Sequence, residues 1–276
     1  MTARVLARSW LGALLAALVI AGCYTVPETG RQSLMLVPQA QMVDMGIRSF
    51  RQIKEEEPVS DDPRARRRVE EVGSRIARVT AEDTRVPPEE WQFVAFANEQ
   101  KNAFALPGGR VGAYEGILEV AKNDAQLATV MGHEVAHVAA RHGGERMSEL
   151  LLVQMGGIAL ATALNEKPAR TQQLFLAAYG LGAQVGILLP HSRQQELEAD
   201  RIGLMYMARA GYDPRAAVDF WQRMDESTEN GGPPVFLSTH PPHGKRIERL
   251  KKWMPEAMEE YRAARARRGA NRNAGR

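Results

Sequence analysis

The stretch TVMGHEVAHVAARH, residues 129–142, constrains this chain more than any other. Leu127, Val130, Met131, Ala136 and Val138 make it a helix with an apolar surround, so most of it must be buried. His133, Glu134 and His137 sit in the middle of that helix. Buried without partners, they would be costly. On a helix, residues four apart lie about 40° around the axis and about 6 Å along it, so both imidazoles reach one ion. Glu134 follows the first histidine and stands beside that ion, where its carboxylate meets a bound water. Two ligands and a base supplied by one helical turn is the logic of the HExxH spacing. The fold must hold this helix inside and bring a third ligand to it.

His142 is one source of that ligand. It lies five residues after His137, about 500° around a continuing helix, which takes it off the metal face. The extended motif that uses a third histidine also places it six residues on. His142 is therefore expected to be packed or hydrogen-bonded. The stretch HSRQQELEADRIG, residues 191–203, is the better source. On a helix, Glu196 and Asp200 stand one turn apart on one face. One carboxylate there can bind zinc while the other accepts a hydrogen bond from a ligand imidazole. With Glu198 between them, the segment reads equally well as a solvated acidic face. The residues alone leave that choice open.

The rest of the chain predicts an α+β protein, mainly α. Met42, Met45, Ile47, Phe50 and Ile53 recur at helical spacing over 38–57, and Pro58 ends that helix. SDDP starts another, running to about Ala81. WQFVAF, residues 91–96, reads as a strand. NAFALPGGRVGAYEGIL adds a short strand, a turn at Pro107-Gly108-Gly109 and a strand at Val111–Tyr114, predicting a small antiparallel sheet. Asp124 is expected to cap the metal helix, which runs to about His142. Residues 147–164 and 170–189 form two apolar, glycine-containing helices separated by NEKPAR. Their uninterrupted runs fall short of the ~20 residues a membrane span needs, so packed helices covering the site are expected. Helices over 192–210, 213–226, 244–253 and 255–267 complete the set.

The first 22 residues have the layout of an export signal: Arg4 and Arg8, an apolar run from Trp10 to Ile20, then Ala21-Gly22. The chain's one cysteine, Cys23, follows directly. LVIAGC resembles a bacterial lipobox, which implies a lipid on Cys23, and Tyr24 after it implies the outer membrane, facing the periplasm. Residues 23–37 then form an anchor linker, 38–255 the main domain and 256–276 a basic C-terminal helix and tail, partly disordered. The net charge of +3 hides this division. Residues 23–261 hold 28 basic and 33 acidic residues, whereas the stretch from Arg262 holds six arginines and no acid. An exported chain with an acidic body is not expected to bind nucleic acid.

HEVAHVAARH with SRQQELEAD downstream resembles the metallopeptidase family of the CAAX prenyl proteases and HtpX, which reads HExxH and then SRxxExxAD. The resemblance covers nearly all of residues 35–255 and is closest to short, lipid-anchored members. It implies a gluzincin: one Zn2+ per chain held by His133, His137 and Glu196, with Asp200 supporting a ligand. It implies Glu134 as the general base. It also implies that Val111, Gly112, Ala113 and Tyr114 form an edge strand that receives substrate backbone. STHPPHGKRIERL, residues 238–250, matches the family's His-Pro-Pro and following Arg, so His240 and Arg246 are implied to stabilise the oxyanion or substrate. His243 matches nothing and is expected to be exposed. The implied function is endopeptidase cleavage of unfolded or damaged envelope proteins, a quality-control role. The alternative is a lipid-anchored binding or assembly factor with a non-catalytic zinc.

Overall fold

Pro63 at the start of a helix needs no N–H there, and the Asp62 side chain accepts a bond from Arg64 N at 2.8 Å. The fold is mainly helical with small sheets, and of its helices this one and the one after Asn123 start on a side-chain cap. The computed structural model describes residues 22–229, 236, 237, 240 and 245–274. The export segment before Gly22 and His243 lie outside them. The chain groups into two compact units, one formed by the stretch up to Gln39 with Gly144–Leu189, the other by Ala40–Gly143 with Pro190–Arg276. The stretch 38–255 expected as one domain falls partly in each unit, most of it in the second.

The second unit holds the metal helix. α1 (Gln39–Glu56) and α2 (Pro63–Ala77) precede a short α3 (Ala81–Thr84). β3 (Gln92–Phe96), β4 (Ala103–Leu106) and β5 (Arg110–Tyr114) follow; β1 (Cys23–Thr25) and β2 (Gln32–Leu34) belong to the other unit. The turn between β4 and β5 falls at Gly108 and Gly109, both at positive φ, where a side chain would be strained. The sheet order is β3-β5-β4, with β3 parallel and β4 antiparallel to β5. It is a mixed sheet, because β5 folds back between its two predecessors. That overturns the edge-strand role of Val111, Gly112, Ala113 and Tyr114: their strand is central and paired on both sides. Phe50 of α1 packs edge-on against Phe96, and Phe104 and Tyr114 join them in an aromatic core.

After α4 (Glu115–Val120), the metal helix α5 runs Asp124–Ala139. Its cap is Asn123 rather than Asp124, accepting from Gln126 N at 3.0 Å. Every residue from Gln126 to Ala139 is buried, against α2, β4 and other helices. Arg141 takes a left-handed φ of 55°, so the chain turns and α6 (His142–Ala163) starts afresh. The expectation of one helix to His142 fails at that residue.

α7 (Ala169–Ala183), a π-helical turn (Gln184–Leu188) and α8 (Leu189–Arg209) form one continuous helix of 41 residues. Pro190 lacks an N–H, and the wide turn just before it accommodates the ring without ending the helix. Glycines set how closely α8 approaches α5. A Cβ on Gly132 would stand 2.6 Å from Gly203 O, and one on Gly203 would stand 2.7 Å from His133 N. α9 (Ala216–Glu229) packs on α5 and on α10 (Arg246–Ala274). α10 passes through Pro255, merging two expected helices. Leu250, Ala257 and Ala264 recur every seven residues as its buried stripe, and Arg209 pairs with Glu260 at 3.1 Å.

In the first unit, β1 (Cys23–Thr25) and β2 (Gln32–Leu34) pair antiparallel. Arg31 grips Glu145 at the start of α6 through both guanidinium ends, and Leu36 N donates to Ser148 Oγ at 2.8 Å. α6 and α7 pack at Gly156, where Tyr179 OH donates to Val153 O at 3.0 Å. Their apolar side chains are otherwise largely exposed: Met155, Ile158, Leu174, Phe175 and Leu181 among them. The expectation that these helices bury their apolar surface is not met.

Candidate metal centre

The crossing of α5 and α8 at Gly132 and Gly203 brings the two polar stripes together. His133, His137, Glu196 and His240 are all buried, and one donor atom from each lies within 4.8 Å of the other three. His133 Nε2 is 3.1 Å from His137 Nε2 and 3.3 Å from Glu196 Oε2. His240 Nδ1 is 3.2 Å from His133 Nε2 and 3.1 Å from Glu196. The structure therefore brings Glu196, and not Glu198, to the histidine pair. It also seats His240 among the donors.

Each donor is held from behind. His133 Nδ1 donates to Asp200 Oδ1 at 3.0 Å, the supporting role expected of Asp200. Arg246 Nε donates to Asp200 Oδ2 at 2.6 Å, and its Nη2 to Glu196 at 3.4 Å. The same guanidinium lies 3.9 Å over the Trp221 ring. Its Nη1 is buried with no hydrogen-bond partner among the described residues. Phe236 stacks on His240 at 4.6 Å, and its ring lies 5.9 Å from His133. Glu134 is buried next to His133, and its Oε1 is 3.5 Å from His240 Nε2.

The electrostatics are those of a cluster built around positive charge. Burial alone would favour neutral His133, but hydrogen bonds to Asp200 and Glu196 outweigh it and raise its pKa to about 10. Burial holds His137 well below 6.5, helped by the neighbouring imidazoles. For Glu196, burial works against ionisation, yet the surrounding histidines hold its carboxyl well below the usual range. Four nitrogen and oxygen donors facing one point, with a carboxylate kept ionised, fit a zinc ion.

Sequence reasoning passed over Trp221 and Phe236; it expected His142 to be packed or hydrogen-bonded, as it is, and gave Glu198 no partner. Phe236 lies four residues before His240, and His240 N donates to Phe236 O at 2.8 Å. Trp221 carried no signal, since its helix is distant in the chain.

Fold and donor set together define a metallopeptidase domain of the HExxH-plus-glutamate class. The profile of peptidase family M48 matches residues 63–254, and the chain belongs to that family. The mitochondrial metalloendopeptidase OMA1 of Schizosaccharomyces pombe is 40% identical over 169 residues, covering 61% of this chain and 48% of that protein. The beta-barrel assembly-enhancing protease of Escherichia coli K12 is 29% identical over 267 residues, covering 91% of this chain and 53% of that protein. The mitochondrial OMA1 of Danio rerio is 30% identical over 242 residues, 84% of this chain and 50% of its own length. The chain thus spans about half the length of the curated relatives it matches.

Proposed function

We propose that this chain is a zinc-dependent endopeptidase of the bacterial envelope, held at the periplasmic face of the outer membrane by a lipid on Cys23. The observation that carries the catalytic reading is the convergence of His133, His137 and Glu196 with Glu134 beside them. Zinc held there would polarise the scissile carbonyl and acidify its water. Glu134 takes the proton of the attacking water and passes it to the leaving amine. His240 and the Arg246 Nη1 are the groups placed to donate to the developing oxyanion. The peptide-pairing role moves from β5 to β4. Ala103–Leu106 packs against α5, and no described strand covers its outer edge. Strand addition reads backbone, which suits unfolded or damaged envelope proteins as substrates. The assembly-linked protease among the relatives supports that choice.

Two features support the membrane reading. Cys23 is exposed, and it belongs to the same compact unit as the exposed apolar helices α6 and α7. The helix from Ala169 is also long and apolar enough to cross a bilayer, with 6% of its most apolar window buried.

One observation favours a second reading. His240 supplies a fourth protein donor, and four protein donors are the mark of structural zinc sites. A lipid-anchored binding or assembly factor with a non-catalytic zinc would look like this. Casein digestion separates the two. Glu134→Gln is expected to keep one zinc per chain and to lose cleavage by about 100-fold or more. Equal cleavage by both proteins refutes Glu134 as the base. A zinc-loaded wild type that never cleaves supports the binding factor.

A further inference from the structure

His133 and His137 both point Nε2 into the donor cluster, so each must keep its proton on Nδ1 to bind a metal in the neutral form. For His133 the reason is direct: a carboxylate, Asp200, accepts from Nδ1. Among the described residues, no carboxylate meets Nδ1 of His137. Its Nδ1 lies 2.8 Å from Nδ1 of His142. On the far side of that ring, His142 Nε2 lies 3.0 Å from Glu198 Oε2. His142 and Glu198 are both buried.

The protons on this chain of groups are determined in sequence. Glu198 is an acceptor, so His142 Nε2 carries the hydrogen between them. The His142 tautomer with its hydrogen on Nε2 presents a lone pair at Nδ1. That lone pair accepts from His137 Nδ1–H, which leaves His137 Nε2 unprotonated and facing His133 and Glu196. We propose that Glu198 and His142 form a relay that fixes the tautomer and ring orientation of His137, making both of them positioning residues for the metal. The proposal rests on the zinc reading above and deepens it. The centre then carries two carboxylate supports, one direct through Asp200 and one passed through an intervening imidazole.

The backbone explains the intermediary. Glu198 is two residues beyond Glu196, roughly 200° around α8, so it does not share the face that meets α5. The left-handed turn at Arg141 brings His142 back beside His137, where it bridges the gap.

Zinc affinity by chelator competition on the full chain tests this, with the fold checked by circular dichroism. His142→Asn places an amide oxygen near the position of Nδ1 and keeps an acceptor for His137. His142→Phe keeps the ring and removes the acceptor. The relay predicts affinity within about threefold of wild type for Asn, and a loss of about 10–100-fold for Phe. Simple packing predicts the reverse order. Glu198→Gln is expected to weaken zinc binding in the wild-type background and to have no further effect beside His142→Asn, where the link is already cut. In metal-free protein labelled with 15N-histidine, His137 is expected to show the Nδ1–H tautomer, and His142→Phe to lose it. If His142→Phe does not fold, Glu198→Gln alone and beside His142→Asn gives the same test. Affinity for Phe equal to or above that for Asn, or a Glu198→Gln effect of full size in both backgrounds, overturns the relay. A wild type that binds no zinc overturns the peptidase reading instead.

Discussion

Helix α5 and the pair α6–α7 are written in much the same apolar alphabet, with leucine, valine, alanine and glycine throughout, and they end in opposite surroundings. Val130 in α5 is wholly buried, whereas Ile158 in α6 is 68% exposed. The difference lies in their neighbours. α5 meets α2, β4, α8 and α9, and the glycine pair at 132 and 203 lets α8 approach to backbone contact. α6 and α7 touch where Tyr179 meets Gly156 and Val153, and leave most of their apolar side chains exposed. Apolar composition thus says that a helix will leave water, and says nothing about which medium replaces it.

Single charges break this comparison most sharply. Val130→Asp puts an unpaired carboxyl in a closed core and is expected to cost several kcal/mol, enough to abolish cooperative thermal unfolding. Ile158→Asp is expected to change stability by less than about 0.5 kcal/mol. Combined with Cys23→Ser, it should leave the protein behind in a vesicle flotation that carries wild type upward. A double variant that floats as wild type does would remove the membrane from the account.

The close crossing is the next point of attack. Gly203→Ala would set a methyl 2.7 Å from His133 N, so α8 must move away and take Glu196 and Asp200 with it. The expected result is a stability loss of about 1–3 kcal/mol and zinc binding weaker by about tenfold or more. Unchanged zinc affinity would mean that the crossing does not set the ligand distance.

A smaller effect follows from protonation. Metal-free His133 has its pKa raised to about 10 by Asp200 and Glu196, so at neutral pH zinc must displace its proton. Glu196 is held ionised and His137 neutral, so neither adds a proton to that exchange. Zinc affinity should therefore rise with pH, by about tenfold per unit below about pH 10, and fall as pH falls. Calorimetry in buffers of different ionisation heat should show about one proton released per zinc at pH 7. No proton release would contradict the charge assigned to His133.

What the sequence shows depends on how local the determinant is. His133, Glu134 and His137 were legible because one helical turn fixes their relation, and Glu196 with Asp200 for the same reason once the family pattern chose between the carboxylates. The relay through His142 was not, because the argument that set His142 off the metal face assumed a helix that Arg141 ends. The central place of β5 was hidden because strand order is a long-range property. Pro190 and Pro255 read as breaks, yet a π-helical turn absorbs the first and a buried stripe of Leu250, Ala257 and Ala264 carries the helix past the second. The exposure of α6 and α7 was illegible because an apolar run looks the same whether or not a core covers it.

The central claim is that side chains from α5 and α8 meet on one ion, and metal analysis of dialysed protein tests it most directly. Wild type and Glu198→Ala should each retain zinc, the latter with reduced affinity, at one ion per chain, while Glu196→Ala should retain almost none. Full zinc on Glu196→Ala, or an empty wild type, would contradict it.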